Sequence, residues 1–142
     1  MKSICIKKTL YSYSANKLID NGNYQLEILA DWFTDDVGSW IPSWREWLND
    51  RSEEAETTES NATWLEKDWL PNGACNITFG SITDLVQAPR EKVFVPKAGS
   101  TISIPRENVI ELFNTWENLL KNGSNEIMIV EEDGVYKMFE VQ

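Results

Sequence analysis

The tightest constraint on the fold lies in the last third of the chain, where two periodicities follow one another. Val109, Ile110, Phe113, Trp116, Leu119 and Leu120 recur at three- and four-residue steps, which places them along one side of a helix. A helix is therefore predicted from Pro105 to about Lys121. Asn122-Gly123 should end it, because glycine accepts the left-handed backbone that closes a helix. Residues 126–131 and 135–141 are rich in β-formers and meet at Asp133-Gly134, a pair that favours a two-residue hairpin turn. A helix with a stripe to bury, followed at once by a hairpin, calls for a sheet to pack against.

Upstream, the pattern is mostly that of strands. In residues 2–8, Ile4 and Ile6 alternate with Cys5 and Lys7. Residues 11–23 are polar and turn-rich. In 24–33, Tyr24, Leu26, Ile28, Ala30 and Trp32 alternate with Gln25, Glu27 and Asp31, which predicts a strand. Residues 34–38 break it, and Pro42 suits the first turn of a short helix carrying Trp44, Trp47 and Leu48 on one face. Residues 49–63 are small or polar without periodicity and are expected to form a mobile acidic loop. Short strands are predicted at 64–69, 75–79, 81–86, 92–95 and 101–104, with turns at Pro71-Asn72-Gly73 and Lys97-Ala98-Gly99. With no repeat and no strand-glycine-helix unit, the expected architecture is one α+β domain over residues 1–142. It should be an antiparallel or mixed β-sheet packed against the long helix, with the hairpin following.

Chemistry is narrowed by what the chain lacks. There is no histidine among its 142 residues, which removes the commonest general base and metal ligand. Cys5 and Cys75 are too far apart for a redox or zinc motif and should be reduced, buried thiols. No glycine-rich phosphate loop occurs. No cofactor, no metal and no catalysis are therefore expected. The N-terminal residues lack the roughly 7–15 apolar residues of a signal peptide, and no stretch approaches the ~20 of a membrane span, so a soluble, cytoplasmic protein is expected.

Charge points instead to a partner. The formal net charge is −10, and half of it falls in residues 50–68, where acids outnumber bases and lie beside Trp64 and Trp69. Such a surface steers a basic protein in and then anchors it, and it repels nucleic acid. The candidate partner-binding residues are Glu53, Glu54, Glu56, Trp64, Glu66 and Asp68. A second group, Asp35, Asp36 and Trp40, is drawn from a loop flanked by Trp32 and Trp40, both read as a binding rim. Trp44, Trp47 and Trp116 are read as core.

One family has a similar order of motifs. The run Leu29-Ala30-Asp31-Trp32-Phe33-Thr34-Asp35-Asp36-Val37-Gly38-Ser39-Trp40, then Trp44-Arg45-Glu46-Trp47-Leu48, then the ending from Ile102-Ser103-Ile104-Pro105 through Trp116 to Glu126-Ile127-Met128-Ile129-Val130, resembles the small immunity proteins of bacterial polymorphic-toxin and contact-dependent growth inhibition systems. The resemblance implies a cytoplasmic protein that binds the toxin domain of a cognate effector and covers its active site or substrate surface. Many such toxins are nucleases with basic faces, so carboxylates here would stand in for the nucleic-acid backbone. The resemblance carries over no residue-level site. An alternative from another class is a carbohydrate-binding or glycosidase-like domain, with tryptophans as stacking platforms and paired carboxylates about 5–9.5 Å apart.

Overall fold

The structure, a computed structural model, describes residues 2–9, 12–16, 24–88 and 93–142. It is α+β, with every strand pairing antiparallel. The strands are β1 (Lys2–Lys8), β2 (Tyr13–Asn16), β3 (Thr57–Glu59), β4 (Thr63–Trp69), β5 (Cys75–Ser81), β6 (Leu85–Gln87), β7 (Phe94–Pro96), β8 (Thr101–Pro105), β9 (Glu126–Glu132) and β10 (Val135–Glu140). The helices are α1 (Tyr24–Asp31), α2 (Ile41–Asn49) and α3 (Arg106–Lys121). One four-stranded sheet has the order β10-β9-β1-β2, a second has β3-β4-β5-β8, and β6 pairs with β7 alone.

The predicted helix and hairpin are present. α3 buries Val109, Leu112, Phe113, Trp116 and Leu119. Asp133 and Gly134 both have positive φ, 53° and 81°, the backbone that a tight hairpin turn demands. Of the residues read as polar and turn-rich, Tyr13–Asn16 form β2 while 11 and 17–23 lie outside the described residues. Lys92, expected to open a strand, lies there too.

The predicted strand at 24–33 is instead α1, continued by a π-helical turn, Trp32–Val37. The alternation that suggested a strand is also compatible with a helix covered on nearly every side. Ile28, Leu29 and Ala30 are consecutive and all buried, which a strand with one wet face would not allow. Position in the fold explains this. α1 packs against β1 and β2 of one sheet and β5 of the other, and α3 packs against β10 on one side and β5 and β8 on the other. The helices thus fill the space between the two sheets, and the buried hydrophobic residues form one continuous cluster.

At the centre of that cluster lies an aromatic group. Trp32 meets Phe33, Trp44, Phe79 and Phe113 at ring-centroid distances of 4.8, 5.5, 5.2 and 6.1 Å. Trp116 joins through Phe33 and Tyr13. Trp32, read as part of a binding rim, is therefore core, because the helix turns it between the sheets rather than outward.

The segment expected to be a mobile acidic loop holds regular structure, a turn of 3-10 helix at Glu53–Ala55 and the edge strand β3. It is pinned from beneath. Lys67 on β4 is only 2% exposed, and its ammonium donates to the backbone carbonyls of Trp47 and Asp50 and lies 4.1 Å from the Trp47 ring. Arg106 donates through Nε to the carbonyl of Leu48, at 2.8 Å. α2 has no basic residue in its own last turn, so these two cations from elsewhere neutralise its exposed carbonyls and the negative end of its dipole.

Both cysteines are free and buried, as expected. Burial, with the hydrogen bond from Cys5 Sγ to Glu126 Oε1 at 3.0 Å, pushes the Cys5 thiol from 9.0 up to about 11, and burial pushes Cys75 up as well. The thiolate is the reactive form. At pH 8 the native protein should therefore leave Ellman's reagent uncoloured over minutes and titrate two thiols once guanidinium is added. Reaction of either thiol in the native state would show that its burial is wrong.

Candidate functional site

The second sheet has one face on the helices and one turned outward. Its register places Thr57, Glu66, Thr78 and Ser103 in one cross-strand row, and Glu59, Trp64, Gly80 and Thr101 in the next. The outer face is marked by the exposed bond between Thr78 Oγ1 and Ser103 Oγ, at 2.7 Å. Successive residues of a strand alternate sides, so Asp68 joins Glu66 on this face while Leu65 and Lys67 point inward. A row of carboxylates is the result.

A groove of about 560 Å³ runs beside this row. Thr57, Thr58 and Glu59 form one wall, Trp64 and Glu66 line it from β4, and residues 93–95 form the opposite wall. The second wall depends on a glycine. A Cβ on Gly80 would come within 2.8 Å of Pro96 Cγ, so only glycine lets the β6–β7 hairpin lie this close to the sheet. The hairpin leaves Val86, Val93 and Phe94 exposed, Phe94 by 56%. Acids and an apolar lip thus share one groove.

Among the described residues, the surroundings of Glu66 disfavour its charge. Partial burial, then the carboxylates of Asp68 and Glu56, hold the Glu66 carboxyl above its usual range. The ion pairs among the described residues, Arg45 with Glu117 and Lys97 with Asp84, lie elsewhere. A raised carboxyl pKa means that the folded state binds the proton more tightly than the unfolded chain. The penalty is therefore present above the folded-state pKa and absent below the ordinary value near 4.5. Glu66→Gln should raise the melting temperature by roughly 1–3 °C at pH 7, with no gain near pH 4. An equal gain at both pH values would mean that charge is not the cause.

The predicted site residues divide into separate places. Glu66 and Trp64 line the groove, and Asp68 and Glu56 lie near enough to act on Glu66. Trp64 is buried, so it is part of the wall and not a free anchor. Glu53 and Glu54 are exposed on the 3-10 turn. Asp35 and Trp40 come together at a different cleft of about 400 Å³, floored by Tyr13, Trp116 and Leu120, and Trp40 is 70% exposed there. Its shape is set by the π-helical turn, whose Gly38 carbonyl accepts the Trp116 indole N–H at 3.0 Å.

Asp36 belongs to neither place. It is 5% exposed, and its carboxylate accepts the amides of Ala62 at 2.9 Å and Thr63 at 3.0 Å together with the Thr63 hydroxyl. Asp36 is a structural tie between the π-helical turn and β4. Neighbours in sequence face different ways here because each residue of a helical turn is rotated about the axis from the one before it.

Phe94, Val93 and Glu59 were not among the expected site residues. A strand is predicted at 92–95, but a strand reading does not say which residues a second layer leaves bare. Among the described residues, no three His, Cys, Asp or Glu side chains are placed to hold a metal ion, and no helix is long and apolar enough to cross a membrane. Comparison with protein-family models, curated proteins and solved structures returns no match.

Proposed function

We propose that this chain is a stoichiometric inhibitor, a cytoplasmic immunity protein that binds a basic toxin domain and covers its active site or substrate surface. The observation that supports this reading is the groove, in which Glu59 and Glu66, with Glu56 and Asp68 close by, border an exposed Phe94. An arginine or lysine from a partner relieves the repulsion that Glu66 suffers, and the aromatic lip supplies apolar contact. A nuclease that grips phosphate with a basic face is the matching kind of toxin.

Carbohydrate recognition has less support. It requires several exposed indoles side by side, whereas Trp40 is the one tryptophan of the seven that is mostly exposed.

The test is co-expression with the product of the adjacent gene, scored for rescue of growth, followed by binding kinetics on the purified pair. Glu66→Lys with Asp68→Lys should lower the association rate by about tenfold or more at low salt and change dissociation less. An association rate unmoved by both reversals, or a neighbour that is neither toxic nor bound, would overturn the reading.

A further inference from the structure

We propose that the groove receives an extended basic segment of the partner as an added β-strand, hydrogen-bonded to the open edge of β3; the proposal rests on the acidic-groove reading above. The backbone shows where that edge is open. Lys67 N–H donates to the Glu56 carbonyl at 2.8 Å and Ser60 N–H to the Thr63 carbonyl at 2.9 Å. In an antiparallel pair the residues that bond to the neighbouring strand alternate, so Glu56, Thr58 and Ser60 face β4. Thr57 and Glu59 then direct their N–H and C=O groups away from it, and β3 is the outermost strand of its sheet.

The opposite wall repeats the arrangement. Ala88 N–H donates to the Val93 carbonyl at 2.9 Å and Lys97 N–H to the Asp84 carbonyl at 3.0 Å, so odd-numbered residues of this segment bond toward β6 and Phe94 directs its peptide groups away. Three consecutive residues of each wall line the groove. Trp64 and Glu66 line it from β4 as well, so the groove lies on the outer face of the sheet at its β3 end, next to the open edge.

Charge selects the occupant. Open edges are commonly guarded by shortness, charge, proline or a bulge; β3, Thr-Thr-Glu, is short and carries no proline, and its one charge is the Glu59 carboxylate, which turns away an acidic strand but not a basic one. The carboxylates of Glu59 and Glu66 repel a strand from a second copy of this chain, whose net charge is −10, and favour one with lysine or arginine at alternate positions. Apolar residues between them suit the Phe94 side of the groove. This is strand addition, in which backbone bonds supply affinity and alternate side chains supply selectivity.

Synthetic peptides test it on the intact protein. The probe is acetyl-Lys-Val-Lys-Val-Lys-Val-Lys-amide. Two controls of the same charge carry N-methyl groups on either the valine or the lysine backbone nitrogens, and a third replaces every lysine with serine. Binding is followed by fluorescence anisotropy and by amide hydrogen exchange at Thr57 and Glu59. The unmodified peptide should bind, slow exchange at both amides at least tenfold, and lose at least tenfold in affinity in one of the N-methylated forms. If both N-methylated peptides bind as tightly as the parent, strand pairing is wrong while the electrostatic reading of the groove stands. If the cationic peptides bind no better than the serine peptide, both readings fall.

Discussion

Trp32→Ala is expected to destabilise the protein more than any other single truncation, by about 3–5 kcal/mol. Domains of this kind are held by only about 5–15 kcal/mol, so the variant should be largely unfolded under mild stress. The indole is wholly buried and touches Phe33 beside it in the π-helical turn, Trp44 from α2, Phe79 from the second sheet and Phe113 from α3. Its removal opens a cavity where both helices and a sheet converge, so no single element can relax to fill it. Trp32→Phe should cost much less, because the indole N–H has no acceptor among the described residues and none is lost with it. Urea unfolding followed by circular dichroism checks both. A midpoint for Trp32→Ala within experimental error of the parent would show that the aromatic cluster does not organise the core.

Asp36→Ala is expected to cost about 2–4 kcal/mol, because it strands two backbone donors that the carboxylate satisfied. The amides of Ala62 and Thr63 begin the chain's return into β4, and no other acceptor is given to them by the fold. Asp36→Asn should also destabilise. An amide oxygen replaces one carboxylate oxygen, but the amide nitrogen then faces a donor with a donor. Binding separates this role from that of the exposed acids. At temperatures where the variants are folded, Asp36→Ala should bind a basic partner nearly as well as the parent, while the Glu66 and Asp68 reversals should not. A loss of association rate in folded Asp36→Ala equal to theirs would place Asp36 at the interface after all.

How far the site could be read from the chain differs residue by residue. The acid-rich stretch was visible as composition, and Glu66 and Asp68 share a face as alternate residues of one strand do whatever lies around them, whereas Glu56 reaches them only through the pairing of its segment with β4. The fate of Asp36 was not visible, nor was that of Trp64. Each depends on what a distant segment offers, Ala62 and Thr63 in one case and the layer over the sheet in the other. The groove's second wall was equally hidden, because it rests on Gly80 admitting Pro96, a contact between residues on different strands.

The chain by itself determined the helix at 106–121, the hairpin after it, the α+β class and the acid surplus, because these follow from periodicity, turn residues and charge within short windows. Only the tertiary structure decided that 24–37 is helical, that Lys67 and Arg106 close the end of α2, and which acids face solvent. The reason is physical. A segment covered on nearly every side satisfies strand and helix patterns alike, and a buried charge takes its partner from wherever the fold places one.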